Sequence, residues 1–318
     1  MYDGKKIVFM FSGQGSQFLE MGENLYNTNL KIKYYMDYLD NIFFLNTNIS
    51  FVDEMYNKKN SHLLFNDVGF GCAVLFAIQY SLAKVLMENG VEPDLLVGTS
   101  LGEFVALTVS GALEPEAAIM YVYSVTSYIQ NRVAPSGMLT VIGNINKDYI
   151  NDSCANRYGC IGAFNHDNHF IVSGLTEELK KLNKYYEEHK YLTVLLPTKV
   201  GFHNPSLIQP YKESCCKFLE QLKINKPTIE VISTMTAKKV DYINGEYLFN
   251  ILSEPIKFSD TIKYIEKAAV PTTLMDLGPM ATLAGFSNRI IKSDLISTYA
   301  FMNLAGDNLE SFLSDKIN

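Results

Sequence analysis

Gly98-Thr99-Ser100-Leu101-Gly102-Glu103 constrains this chain more than any other stretch. It reads G-x-S-x-G, follows the apolar run Leu95-Leu96-Val97, and precedes a helical pattern of Phe104, Val105, Leu107 and Val109. Strand, sharp turn and helix in that order lift a serine hydroxyl out of a sheet, and the flanking glycines relieve the crowding. The helix begins at the serine, so its unpaired N–H groups face any oxyanion formed there. Ser100 is therefore read as a nucleophile rather than a plain turn residue.

The surrounding pattern belongs to an α/β protein. Residues Lys6–Phe11 read as a buried strand that ends in Ser12-Gly13-Gln14-Gly15-Ser16-Gln17. Helices are expected near 17–26 and 30–44, a loop with a short helix over 53–64, and a dense helical stripe over 71–87 that stops at Gly90. Pro115 starts the next helix, which runs to about residue 131. From residue 138 the order becomes strand 138–142, helix 146–157, strands 160–164 and 169–172, helix 176–189 and strand 191–196. That β-α-β-β-α-β order is ferredoxin-like. It marks an insert at 135–197 within a larger α/β domain made of 1–134 and 198–318. The larger domain resumes with a helix near 207–222, strand 229–233, helices near 245–252 and 259–268, strand 273–277, a helix near 281–291, and a last strand and helix.

With 47% hydrophobic and 19% charged residues, a chain of 318 can bury a real core. A net charge of −7 offers no broad basic field, which argues against nucleic-acid binding. The five cysteines (Cys72, Cys154, Cys160, Cys215, Cys216) show no metal spacing and read as reduced thiols, so no metal site is expected. The apolar run 7–11 is too short for a signal segment, and no apolar stretch approaches a membrane span of about 20 residues. A cytoplasmic protein with no membrane association, monomeric, is expected.

Four segments then line up: Phe9-Met10-Phe11-Ser12-Gly13-Gln14-Gly15-Ser16-Gln17, Gly98-Thr99-Ser100-Leu101-Gly102-Glu103, Val200-Gly201-Phe202-His203-Asn204-Pro205, and Asp276-Leu277-Gly278-Pro279. In this order and spacing they resemble the acyltransferase family that includes malonyl-CoA:acyl-carrier-protein transacylase and polyketide-synthase acyltransferase domains. The resemblance spans nearly the whole chain. It implies an α/β-hydrolase-like large domain with a ferredoxin-like insert, Ser100 as nucleophile and His203 as general base. The backbone N–H groups of Gln14 and Leu101 would form the oxyanion hole. A backbone carbonyl, rather than an acid, would orient the histidine; within Glu254-Pro255-Ile256-Lys257-Phe258 that carbonyl is expected at Lys257. Thr99, Val125, Asn165 and Phe202 would line the acyl pocket. No bound cofactor is implied, because the substrate itself carries phosphopantetheine on an acyl carrier protein or CoA.

Each of these residues also has a plainer reading. His203 beside Pro205 would ordinarily be a turn residue, and Gln14 a polar turn. The Gly13–Gly15 turn lacks the Gly-Lys-Ser/Thr ending of a phosphate loop. Glu103, in a first helical turn, suits the helix dipole. His166-x-x-His169 has no third ligand nearby and reads as a solvated turn rather than a metal site. Arg289 and Lys292 could contact an acidic carrier protein, but scattered surface charge is the favoured account.

One departure bears on substrate. Malonyl-specific members carry an arginine, in an R-G-x-x-M-Q-like segment, that pairs with the malonyl carboxylate. Here the segment reads Val125-Thr126-Ser127-Tyr128-Ile129-Gln130, with Val125 at the arginine position. A carboxylate buried against valine has no partner, so neutral acyl groups are expected. Arg132 lies two turns on and reads as a helix-end surface residue; a slipped alignment would make it the carboxylate ligand instead. Arginine-free, free-standing members resemble the acyl hydrolases of trans-acyltransferase polyketide clusters, which release acyl groups from carrier proteins. The alternatives are a trans-acting acyltransferase, a general serine esterase and a non-catalytic carrier-docking module. The esterase reading needs a triad acid between Ser100 and His203. Asp148, Asp152 and Asp167 all fall in the insert, which argues against it.

Overall fold

The computed structural model describes residues 4–143, 153–303 and 306–317. The two central strands of its main sheet, Lys6–Phe11 and Leu95–Gly98, are short and almost continuously apolar, as burial on both faces requires. β1 (Lys6–Phe11) lies at the centre, with β2 (Leu95–Gly98) on one side; between them run helices α1 (Glu23–Thr28), α2 (Leu30–Thr47), α3 (Ser61–Asn66) and α4 (Val68–Glu88). Next come α5 (Leu101–Val109) and α6 (Pro115–Gln130).

The second sheet uses β3 (Ser136–Ile142), β4 (Cys160–His166), β5 (His169–Leu175) and β6 (Leu192–Leu195), with α7 (Ser153–Tyr158) and α8 (Thr176–Glu188). The rest of the chain supplies α9 (Pro205–Ile208), α10 (Lys212–Cys216), β7 (Glu230–Ser233), β8 (Lys238–Lys239), α11 (Gly245–Ser253), β9 (Ile256–Lys257) and α12 (Phe258–Glu266). It ends with β10 (Thr272–Asp276), α13 (Thr282–Ile290), β11 (Ile296–Ala300), a hairpin of β12 (Met302–Asn303) and β13 (Gly306–Asp307), and α14 (Leu309–Ile317).

The large sheet has the order β11-β10-β1-β2-β7-β8 and is parallel except for β8. Its register pairs Phe11 with Gly98 and Met10 with Asp276, so three strands end along one edge. The order reverses around β1, and a crevice at such a point is where open α/β sheets bind ligands. The small sheet has the order β6-β3-β5-β4-β9. Its first four strands give the ferredoxin-like arrangement. The fifth, β9, runs parallel to β4, with Ala163 opposite Ile256, and comes from beyond the insert expected at 135–197. This is the α/β-hydrolase-like fold with a ferredoxin-like subdomain.

Several sequence expectations need correction. The helix expected over 17–26 is confined to Glu23–Thr28, because Glu20 (φ 65) and Gly22 (φ 75) break the preceding turn. The single helix expected near 207–222 is four short pieces, since Pro210 cannot donate within it. The helix expected over 146–157 is seen only as α7; residues 144–152 lie outside the described residues. The apolar stretch α4 does reach membrane length: 21 residues, with mean hydropathy 1.7 over its most apolar window. It is instead the core helix, with 89% of that window buried inside the protein and packed on α2, α5 and α6.

Candidate active site

Ser100 sits at the turn between β2 and α5 with φ 53 and ψ −119, a conformation that costs a non-glycine residue energy and persists only when its surroundings enforce it. The enforcement is close packing of backbone. A Cβ on Gly98 would lie 2.1 Å from Gly102 C, and one on Gly102 would lie 2.0 Å from Phe11 O. No side chain fits at either position, which is the physical reason for the G-x-S-x-G spacing.

His203 reaches the same point from the segment before α9. Its Nε2 is 2.9 Å from Ser100 Oγ, and its Nδ1 is 2.9 Å from the Glu254 carbonyl. A carbonyl only accepts, so Nδ1 carries the proton and Nε2 is free to take one from the serine hydroxyl. The orienting carbonyl is therefore Glu254, and the expectation at Lys257 is corrected. Lys257 is the last residue of β9, its N–H donates to Thr234 O, and its own carbonyl accepts from Thr261 Oγ1. His203 is buried, and burial lowers its pKa to about 4 while the Glu254 carbonyl partly offsets that. The imidazole is neutral at physiological pH, as a base must be. Asp167 is exposed and 3.7 Å from Lys263, so it does not serve His203; Asp148 and Asp152 lie outside the described residues.

Gln14 lies in the loop after β1, and Leu101 is the first residue of α5. Among the described residues neither N–H donates to a protein acceptor, and both residues flank Ser100 in one crevice. The site can thus offer a hydroxyl, a neutral imidazole and two free N–H donors together.

Two spaces meet Ser100. A cavity of about 220 Å³ opens between the two sheets, lined by Gln14, Thr99, Ser100, Asn165, His169, Phe202, His203 and Phe286 among others. A narrow crevice of about 10 Å³ lies on the other side, walled by Cys72, Leu101, Phe104, Val122, Thr126, Phe202 and Leu252. Of the expected pocket residues, Thr99 and Asn165 line the cavity and Phe202 lines both spaces. Thr99 does more than line it, since its Oγ1 accepts from Gly13 N–H at 3.1 Å. Val125 lines neither; it is fully buried in the core, and α6 presents Val122 and Thr126 to the crevice instead. Among the described residues, no Lys or Arg lines either space. Arg132 is exposed, donates to Tyr128 O at 3.3 Å and stacks on the Tyr128 ring at 3.8 Å, so it is no carboxylate ligand.

Three functional candidates were missed in the sequence. Glu254 is one, because a carbonyl leaves no side-chain signature. His169 is another: it is half-buried in the cavity wall, packed on Phe286 with ring centroids 4.8 Å apart. Asn165 Nδ2 lies 3.0 Å from its Nδ1 and can only donate there. Burial, reinforced by neighbouring His166 and Arg289, lowers the His169 pKa to about 4. Glu103 is the third. Far from meeting solvent at a helix end, it is fully buried, accepts from Thr234 N–H at 3.2 Å and from the Tyr247 hydroxyl, and is pushed up to about 7 by desolvation. It ties α5 to the end of β7 and to α11, the helix that leads to Glu254.

Comparison with known proteins adds a family and several structural relatives. Residues 8–316 match the family described as the acyl transferase domain. The chain is 32% identical over 291 residues to the polyketide biosynthesis acyltransferase homolog PksD of Bacillus subtilis, covering 91% of this chain and 88% of that protein. It superimposes on the malonyl CoA-acyl carrier protein transacylase of Clostridium perfringens with a TM-score of 0.84 at 25% identity, covering 98% of this chain and 97% of the other. A malonyl-transacylase solved in complex with a type II polyketide acyl-carrier protein matches with a TM-score of 0.84 at 21% identity, over 98% of this chain and 100% of that one.

Proposed function

The chain belongs to the acyl transferase domain family, and from that premise we propose that it is an acyl hydrolase of polyketide biosynthesis, releasing neutral, short to medium acyl groups from acyl-carrier-protein thioesters. It is a serine-nucleophile enzyme of the acyltransferase family, related to a free-standing polyketide homolog. The observation that carries the mechanism is the run from Ser100 Oγ through His203 to the Glu254 carbonyl at the floor of the cavity. Ser100 Oγ attacks the thioester carbonyl carbon as its proton passes to His203 Nε2. The oxyanion takes the Gln14 and Leu101 N–H groups. The C–S bond breaks, and His203 returns the proton to the leaving pantetheine thiol. Water then attacks the ester, His203 accepts its proton, and the C–O bond to Ser100 breaks to give free acid and a reprotonated serine.

The choice of acyl group rests on the two spaces that meet Ser100. Among the described residues, neither the cavity nor the crevice walled by Cys72, Phe104, Val122, Thr126 and Leu252 offers a Lys or Arg to pair a malonyl carboxylate. An unpaired buried charge is costly enough to exclude it. The same lack of a clamp leaves the acyl ester unpinned and open to water, which favours hydrolysis. The second reading, a trans-acting acyltransferase, shares every step up to the acyl-enzyme and replaces water with a second pantetheine thiol; the family match supports it. The proposed partner is an acyl carrier protein, the enzyme is placed in the cytoplasm as a monomer, and residues 135–197 are proposed as the inserted unit.

Time-resolved mass spectrometry of donor carrier protein, acceptor carrier protein and free acid tests the reading. Free acid should appear without any acceptor, and an added acceptor should divert only a minority of the acyl groups. A long-lived acyl-enzyme discharged chiefly onto a second carrier protein overturns the hydrolase reading in favour of the transferase.

A further inference from the structure

We propose that Gln79, a residue of the core helix α4 that does not line the cavity, is a positioning residue for the oxyanion loop, gripping Ser12 by both its N–H and its carbonyl. This rests on the reading of the Gln14 N–H as an oxyanion donor.

α4 is apolar, and Gln79 is fully buried within it. A buried carboxamide is tolerated only when its donors and acceptor are bonded. Every polar group of this one is. Oε1 accepts from Ser12 N–H at 2.7 Å; Nε2 donates to Ser12 O at 3.1 Å and to Leu75 O at 3.1 Å. The last bond ties the amide to its own helix, so the grip cannot swivel.

The loop is held by side chains rather than by a strand partner. The β1 ladder ends at Phe11, which pairs with Gly98 and accepts from Thr99 N–H. From Ser12 onward there is no strand partner, and side chains take over. Gly13 N–H donates to Thr99 Oγ1 at 3.1 Å, Gly15 N–H to Gln17 Oε1 at 2.6 Å, and Ser16 Oγ donates to Gly13 O at 2.9 Å. Gln14 stands between two tied residues with its own N–H unused among the described residues. Gln79 anchors the start of this arrangement and Thr99, next to the nucleophile, sets its distance from Ser100. A donor displaced by about 1 Å loses on the order of 100-fold in rate.

The test compares Gln79→Met, which keeps the volume and removes the grip, with Gln79→Glu, which keeps an acceptor for Ser12 N–H and, protonated, a donor for Ser12 O. Ser100 acylation by an acetyl-pantetheine thioester should slow about 30- to 100-fold in Gln79→Met. Affinity for the same thioester, measured in the Ser100→Ala background, should change by less than about threefold, because ground-state binding does not use the oxyanion donors. Gln79→Glu should recover acylation to within about fivefold of wild type, and it carries the test if the methionine variant does not fold. Hydrogen exchange supplies a readout independent of catalysis: the Gly13 and Gly15 amides, neither bonded to Gln79, should lose at least about tenfold in protection in Gln79→Met. Acylation within threefold of wild type, a parallel loss of ground-state affinity, or unchanged Gly13 and Gly15 protection overturns the proposal. A wild-type protein that forms no acyl-Ser100 refutes the acyl-enzyme reading itself and leaves the exchange measurement to decide the grip.

Discussion

The two walls of the cavity are built on different physics. The wall from the large sheet is made of backbone: Gly13, Gly98 and Gly102 bring β1, the turn at Ser100 and α5 together at distances where a Cβ on Gly98 or Gly102 would overlap main-chain atoms. The wall from the small sheet is made of side chains, Met138 and Thr140 from β3, Asn165 from β4, and His169 and Ile171 from β5; the β4–β5 pairing shifts register twice, between Ile161 and Ala163 and between Phe164 and His166. A backbone wall holds atoms to a fraction of an ångström and tolerates no substitution, which suits bond-making. A side-chain wall can change residue by residue without moving the nucleophile, which suits selection among substrates. His203 joins them, since its N–H donates to Leu252 O and its ring is held by Glu254, directly before the strand β9 that attaches to the small sheet.

The largest effects should come from the chemistry held by the first wall. Ser100→Ala should abolish the acyl-enzyme seen by intact mass. His203→Ala should slow acylation by at least about 100-fold, the usual contribution of a general base. Full adduct formation in Ser100→Ala would falsify the nucleophile assignment. Burial lowers His203 to about 4, so acylation should stay level from pH 8 to about pH 5 and fall through about pH 4. Stability carries the same sign. Between about pH 6.5 and 4 the unfolded histidine binds a proton that the folded one does not, so His203 contributes a loss of stability as pH drops across that window. An acid limb near pH 6.5 in the acylation rate would show that the ring is solvated in the working enzyme.

The crevice behind Ser100 should give the next largest effect. Acetyl thioesters should acylate Ser100 at least about 100-fold faster than malonyl thioesters, because among the described residues no Lys or Arg around Ser100 pairs a carboxylate. Arg132→Ala should leave that ratio unchanged, since Arg132 is exposed and stacked on Tyr128. Loss of a malonyl preference in Arg132→Ala would mean that α6 presents a different face to the substrate.

The contrast between the walls also explains what could be read from the sequence. Close backbone approach demands glycine at set spacings, so the Ser100 turn and the Gly13–Gly15 loop announce themselves as motifs. The expected fold follows for the same reason, through apolar strands that end at those motifs. The sequence points to the Lys257 carbonyl, three residues past Glu254, because any peptide carbonyl in the segment fits, and only the β9 pairing decides. Val125 was chosen from a helix whose buried face also includes Val122 and Thr126; which of them meets the crevice depends on the rotation of α6, set by packing on α4. Gln79 did leave a signal, a lone amide in a stripe of Val74, Leu75, Ile78 and Leu82, but its partner Ser12 is distant in sequence. His169 reads locally as a turn residue because Phe286, from α13, covers it only in the folded chain.

The smallest effect should come from that histidine. Asn165 occupies His169 Nδ1, so the neutral ring keeps its proton on Nε2 as a donor on the side-chain wall. Replacing it by phenylalanine preserves ring volume and the contact with Phe286 while removing the Nε2 donor and the Nδ1 acceptor for Asn165. One hydrogen bond of ordinary strength is about 1 kcal/mol, so KM for an acyl-pantetheine thioester should rise about three- to tenfold in His169→Phe. The turnover number should stay within about twofold, because the nucleophile, base and oxyanion donors all stand on other elements. With a pKa near 4, His169 remains neutral from pH 5 to 8, so the KM ratio between variant and wild type should be flat across that range. Steady-state kinetics at several pH values reads both quantities. A turnover number reduced by about 100-fold with KM unchanged would break the comparison, since the side-chain wall would then share in the bond-making assigned to the backbone wall.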